Sequence, residues 1–228
     1  MYGLDFPGHG SSPGTRGLLT GVDDLLEDGM AVAKHAAQDA SKTHKNLPLY
    51  LVGSSMGGAI ALAVSSKMEV GTVQGVIMLA PMLSLKVSSL ERTALGLLSM
   101  IIPSAPLIPS SATSPDKQYR DPERRAECEA DTLTYKGNLR VSAASTCVEL
   151  AVSLSSSFDK VKVPFLCMIS EEDVVVDNSK VGELMEKSSS EDKTLKSYGA
   201  LHGLLCEPAP LLGIIEDDLI QWLLKRCP

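Results

Sequence analysis

Gly53-Ser54-Ser55-Met56-Gly57 reads G-x-S-x-G, a spacing that can lift one serine hydroxyl clear of the backbone around it. The residues before it, Leu49-Tyr50-Leu51-Val52, are apolar and β-prone, and those after it, Gly58 to Val64, are small or apolar and suit a packed helix. The pattern alone recurs by chance in chains holding glycine and serine. The strand before it and the helix after it are no part of the pattern, and they carry the reading. A strand that turns sharply into a helix would project Ser55 Oγ above a sheet as a nucleophile. The free N–H groups and positive end of the helix would lie beside any oxyanion that formed there.

A serine hydroxyl is a weak nucleophile until a base takes its proton, and the base needs a carboxylate to orient it. Four histidines are available. His35 lies in a helix among alanines and His44 in a charged turn, both as solvated surface residues. His9 sits in a Gly-rich loop and reads as structural. His202 follows an expected strand, in Tyr198-Gly199-Ala200-Leu201-His202-Gly203, and is the favoured base. Active sites collect in loops at the carboxyl ends of parallel strands. Ser170-Glu171-Glu172-Asp173 occupies the equivalent loop after the strand Phe165–Ile169. Asp173 is the candidate acid, with Glu171, Glu172 and Asp177 as competitors.

The elements that must hold these residues follow from periodicity. Apolar residues at Val22, Leu25, Leu26, Met30, Ala33, Ala36 and Ala37 predict a helix over Val22 to Lys42. Met1 to Asp5 reads as the end of a strand, and Val73 to Ala80 as a buried strand stopped by Pro81. From Ser84 to Asp159 prolines cluster and short helical pieces alternate with turns, as in an insertion. Alternation resumes with a strand at Val163 to Ile169, a helix at Lys180 to Ser188, a strand at Thr194 to Tyr198 and a helix at Leu211 to Arg226. The order implies a mostly parallel sheet with helices on both faces, an α/β fold. The division is a core of residues 1–83 and 160–228 with an insertion of residues 84–159.

Composition bounds the function. The chain has 228 residues, 44% of them hydrophobic, which suffices for one domain with a substantial core. A net charge of −7 offers no basic face for phosphates, so nucleic acid is not an expected partner. Five dispersed cysteines, without a CxxC pair or zinc-type spacing, read as reduced thiols of a cytoplasmic protein. No signal peptide is evident, and the apolar stretch Leu95 to Ile102 is too short to span a bilayer.

The ordered set of motifs resembles the monoacylglycerol lipase branch of the α/β-hydrolases, of the serine aminopeptidase S33 or hydrolase-4 type. That branch includes caffeoylshikimate esterase-like members. Asp5-Phe6-Pro7-Gly8-His9-Gly10-Ser11-Ser12 is similar to the loop D-x-x-G-H-G-x-S, and Gly53 to Gly58 to the elbow G-x-S-M-G-G. Asp121-Pro122, Asp131-Thr132-Leu133 and Tyr135-Lys136-Gly137 to Arg140-Val141 resemble cap motifs. Glu172-Asp173-Val174-Val175 resembles the acid loop G-x-x-D-x-V, with Ser170 in place of the usual glycine. Ala200-Leu201-His202 resembles the histidine loop, with Glu207 following as it does in the family.

The resemblance implies Ser55 as nucleophile, Asp173 as acid, His202 as base and the Met56 N–H as one oxyanion donor. It implies no metal and no cofactor. The insertion would be a helical cap, with Leu95, Leu97, Leu98, Ile101 and Ile102 lining an acyl tunnel, touching a membrane surface or packing as core. The implied activity is hydrolysis of a lipid-like carboxylic ester, monoacylglycerol first. The alternatives are a lysophospholipid, a caffeoylshikimate-type ester, or a catalytically dead relative that binds lipid. It also implies that the first strands of the fold and the loop carrying a second oxyanion donor are missing. The missing part includes a central strand between those ending at Leu4 and Val52, as in an incomplete product or a short form.

Overall fold

The computed structural model describes residues 1–43 and 47–227; His44 lies outside them. Three mostly apolar runs and one polar edge strand form one sheet: β1 (Tyr50–Ser54), β2 (Gly75–Leu79), β3 (Phe165–Ser170) and the polar β4 (Lys193–Tyr198), in that spatial order and all parallel. The register pairs Tyr50 with Gly75, Val76 with Phe165, and Phe165 with Lys193. All five residues of β2 are buried. Parallel sheets need cover on both faces, and strand side chains alternate between them. Val76, Met78, Phe165 and Cys167 therefore enter one apolar cluster, while Ile77, Leu79, Leu166 and Met168 enter another.

The first cluster is covered by α1 (Val22–Thr43), α2 (Met56–Lys67), α6 (Val141–Ser155) and α7 (Val181–Lys187). In α2, Gly58 through Val64 are seven consecutive buried residues, because the helix is packed both against the sheet and under α1 and α6. Its small side chains permit this close approach. On α1, a Cβ at Gly29 would stand 3.0 Å from Val64 Cγ2. The second cluster is covered by α8 (Leu211–Leu224), through Ile215 and Trp222. Arg226 stacks on Trp222 at 4.0 Å and donates to Asp192, while Tyr50 Oη donates to Arg226 O, so this helix end is tied to both sheet edges.

Between β2 and β3 lie α3 (Ser89–Ile101), α4 (Pro115–Gln118), α5 (Pro122–Ala130) and α6. Ser88 and Glu91 cap α3 reciprocally, and Asp121 accepts from Glu123 N at the start of α5. Leu97 is 60% exposed and Ile101 76%, and no residue of α3 is buried. Core packing is therefore not their role.

Two sequence expectations are corrected. Residues 1–5 form no strand: a strand needs a neighbour to complete its hydrogen bonds, and β1 has only β2 beside it among the described residues. The helix expected from Lys180 to Ser188 is one residue shorter at each end. It is preceded by a 3₁₀ turn that Asp177 caps through Ser179 N.

Candidate functional site

The last residue of β1 is Ser54, and Ser55 makes the turn into α2 with φ 53° and ψ −121°. A non-glycine residue holds such a conformation only when its surroundings over-determine it. Here Ser55 N donates to Leu79 O (2.9 Å), and Ser55 O accepts from Gly58 N (3.1 Å), Ala59 N (3.3 Å) and Met82 N (3.0 Å). The turn also needs Gly53, where a Cβ would fall 2.1 Å from Gly57 O. The Ser55 hydroxyl does not cap α2. The Met56 N–H is among the first helical N–H groups, which have no acceptor within their own helix.

Asp173 lies in the loop after β3 and His202 in the loop after β4. His202 Nδ1 meets Asp173 Oδ2 at 2.7 Å, with the two side chains 6% and 0% exposed. Asp173 Oδ1 accepts from Val175 N (2.8 Å) and Val176 N (3.0 Å). Burial pushes the Asp173 carboxyl up, but the hydrogen bonds from His202 and the two amides outweigh it and hold the group below its ordinary value. An ionised carboxylate can only accept, so the proton between them belongs to His202 Nδ1. Nε2 is then the ring's free base.

The two loops are stitched together by backbone. Glu171 N donates to Tyr198 O (2.9 Å) and Glu172 N to Ala200 O (3.1 Å). Ser170 is fully buried, and its Oγ donates to Leu201 O at 2.7 Å. The residue that stands in place of the family's glycine thus anchors the residue before His202. Its signal in the sequence was only a departure from a motif, which does not reveal a partner 31 positions away.

Each other candidate is committed elsewhere. Glu171 accepts from Ser197, Glu172 pairs with Arg120, and Asp177 accepts from Ser179 and Ser84. His9 Nδ1 contacts Pro7 O within its own loop, and the His35 ring meets Tyr2 edge-on. Asp173 and His202 are therefore in direct contact, while Ser55 stands at the same carboxyl end of the sheet. Among the described residues no hydrogen bond joins Ser55 Oγ to His202. Contacts of this kind often tighten only around substrate. Among the described residues no group of three or more His, Cys, Asp or Glu is placed to hold a metal ion.

The family model for serine aminopeptidase, S33 matches residues 1–209. Caffeoylshikimate esterase of Arabidopsis thaliana is 29% identical, over 98% of this chain and 68% of that protein. Monoacylglycerol lipase of Mycolicibacterium smegmatis is 28% identical, over 99% of this chain and 78% of that protein. Among solved structures, a soluble variant of monoglyceride lipase from Saccharomyces cerevisiae superposes with a TM-score of 0.84 at 20% identity. That match covers 98% of this chain and 76% of the other, and it shows a shared fold.

Proposed function

The chain belongs to the serine aminopeptidase S33 family of α/β-hydrolases and is a carboxylic ester hydrolase; from that premise we propose that it cleaves monoacylglycerols through Ser55, Asp173 and His202. The observation that carries this reading is the buried 2.7 Å contact between His202 and Asp173, at the same sheet end as a strained serine that opens a helix.

His202 Nε2 takes the proton of Ser55 Oγ as the oxygen attacks the ester carbonyl. The Met56 N–H, at the positive end of α2, stabilises the oxyanion. Collapse of the tetrahedral intermediate expels the alcohol, which takes the proton from His202, and leaves an acyl-enzyme. Water, deprotonated by His202, then attacks the acyl carbon and releases the carboxylic acid and free Ser55. Asp173 keeps the imidazole in the right tautomer and stabilises it when charged.

A lipid-like substrate is supported by the relatives, whose names include monoglyceride lipases and a phospholipase. Of the insertion expected at residues 84–159, residues 84–140 would form the cap over the site, whereas α6 packs into the core cluster beside α1 and α2. The exposed side chains Leu97, Met100 and Ile101 on α3 give that cap an apolar surface suited to a lipid interface. No helix among the described residues is long and apolar enough to cross a membrane.

The test is fluorophosphonate labelling of the wild type and of Ser55→Ala, followed by hydrolysis of a monoacylglycerol, a lysophospholipid and a hydroxycinnamate ester. Labelling should vanish in Ser55→Ala, and monoacylglycerol should be the fastest substrate. Labelling that survives the substitution refutes Ser55 as nucleophile, and a faster lysophospholipid or cinnamate ester refutes the substrate.

A further inference from the structure

Glu207 has a side chain only 1% exposed, and both of its oxygens are engaged. Oε1 accepts from Leu201 N (2.7 Å), the peptide N–H immediately before His202. Oε2 accepts from Arg120 Nε (2.9 Å), on the segment joining α4 to α5. The same guanidinium reaches further: Nη2 donates to Glu172 Oε1 (3.0 Å), one residue before Asp173, and to Gly199 O (3.3 Å), three residues before His202.

The segment makes two more contacts with the base loop. Gly203 N donates to Gln118 O (2.8 Å). The Tyr119 ring lies so near Gly203 that a Cβ there would stand 2.6 Å from Tyr119 Cδ1. Arg125, on α5, braces the segment from behind by donating to Tyr119 O (2.6 Å) and Arg120 O (3.1 Å). The insertion thus grips the base loop on both sides of His202 and the acid loop beside Asp173.

We propose that Arg120 and Glu207 are positioning residues: through them the insertion sets the register of the two loops and aligns His202 on Asp173. This rests on the triad reading above. A fork donating to two carboxylates and a carbonyl fixes direction as well as distance, and a lysine cannot reproduce that. Seating of the insertion and competence of the base are then one event, so a disturbance of residues 118–120 would be read at His202.

The test is steady-state hydrolysis of a short soluble p-nitrophenyl ester by wild type, Arg120→Gln, Arg120→Lys, Glu207→Gln and Ser55→Ala. Arg124→Ala serves as control; Arg124 makes an exposed pair with Glu127 on α5. Arg120→Gln should lower kcat on the order of 10²-fold and leave KM within about threefold, as expected when alignment is lost and binding is kept. Arg120→Lys should recover part of the loss, and Glu207→Gln, which keeps an acceptor for Leu201 N, should lose on the order of tenfold. Arg124→Ala should match the wild type. Arg120→Gln with kcat within about threefold of wild type, or with its effect confined to KM, overturns the proposal. So does an equal loss in Arg124→Ala. Should Arg120→Gln fail to fold by circular dichroism, Arg120→Lys and Glu207→Gln decide: wild-type kcat in both overturns it. Turnover by Ser55→Ala would instead refute the triad, whatever the arginine variants do.

Discussion

Asp173→Asn isolates the orienting role of the acid with almost no change of shape. The buried side chain sits between three donors: His202 Nδ1 on one oxygen, and Val175 N and Val176 N on the other. An asparagine must choose which side receives its NH₂. Turned toward the backbone, it would leave two buried N–H groups without acceptors, at about 1–3 kcal/mol each. Turned toward His202, it satisfies both amides and forces Nδ1 to accept. The second orientation wins by at least about 2 kcal/mol, or roughly thirtyfold in population. His202 then carries its proton on Nε2 and cannot take one from Ser55. The loss of kcat should be on the order of 10⁴-fold, equivalent to about 5 kcal/mol in the barrier. Stability should fall by about 2–3 kcal/mol, because three charge-assisted bonds become neutral ones, offset in part by the lower cost of burying an uncharged amide. Hydrolysis of a p-nitrophenyl ester gives the rate, and a urea melt gives the stability. A folded Asp173→Asn within about tenfold of wild-type kcat would refute the claim that Asp173 sets the tautomer.

Other outcomes follow from the same structure. Asp173 is held below its ordinary value of 3.8, so its contribution to stability is present above that value and is lost as pH falls through the folded one. Urea midpoints between about pH 2 and pH 6 should drop less steeply at the acid end for Asp173→Asn than for wild type, and equal slopes would contradict this. Gly53→Ala puts a methyl against the Gly57 backbone and should cost at least about 3 kcal/mol, whereas Gly57→Ala has open space and should cost nothing measurable by the same melts. Replacing Leu97, Met100 and Ile101 by serine should change stability by at most about 0.5 kcal/mol per site. The same triple change should weaken co-sedimentation with phosphatidylcholine vesicles by at least about tenfold; unchanged sedimentation would remove the lipid interface from the cap.

What the chain alone determined is what neighbours in sequence can settle. The G-x-S-x-G turn is local, so a strand, a forced φ and a helix could be read around Ser55 without any long-range contact. The helix Val22 to Lys42 declared itself by a 3.6-residue repeat, and two buried strands by apolar runs, expected at Val73 to Ala80 and Val163 to Ile169 and formed at Gly75–Leu79 and Phe165–Ser170. Long-range pairing was beyond that reach. Asp173, Glu171, Glu172 and Asp177 share one loop, and only the folded register of β3 against β4 turns Asp173 toward His202 and sends Glu172 to Arg120. Met1 to Asp5 has strand-like residues but forms no strand, since a strand is defined by its neighbour. The buried Ser170 and Glu207 were no more legible: each acts on Leu201, and a hydrogen bond across a loop has no periodicity in the sequence. Local geometry is encoded within a few residues, whereas which polar groups meet in the dry interior depends on how separate elements pack, and that only the tertiary structure decides.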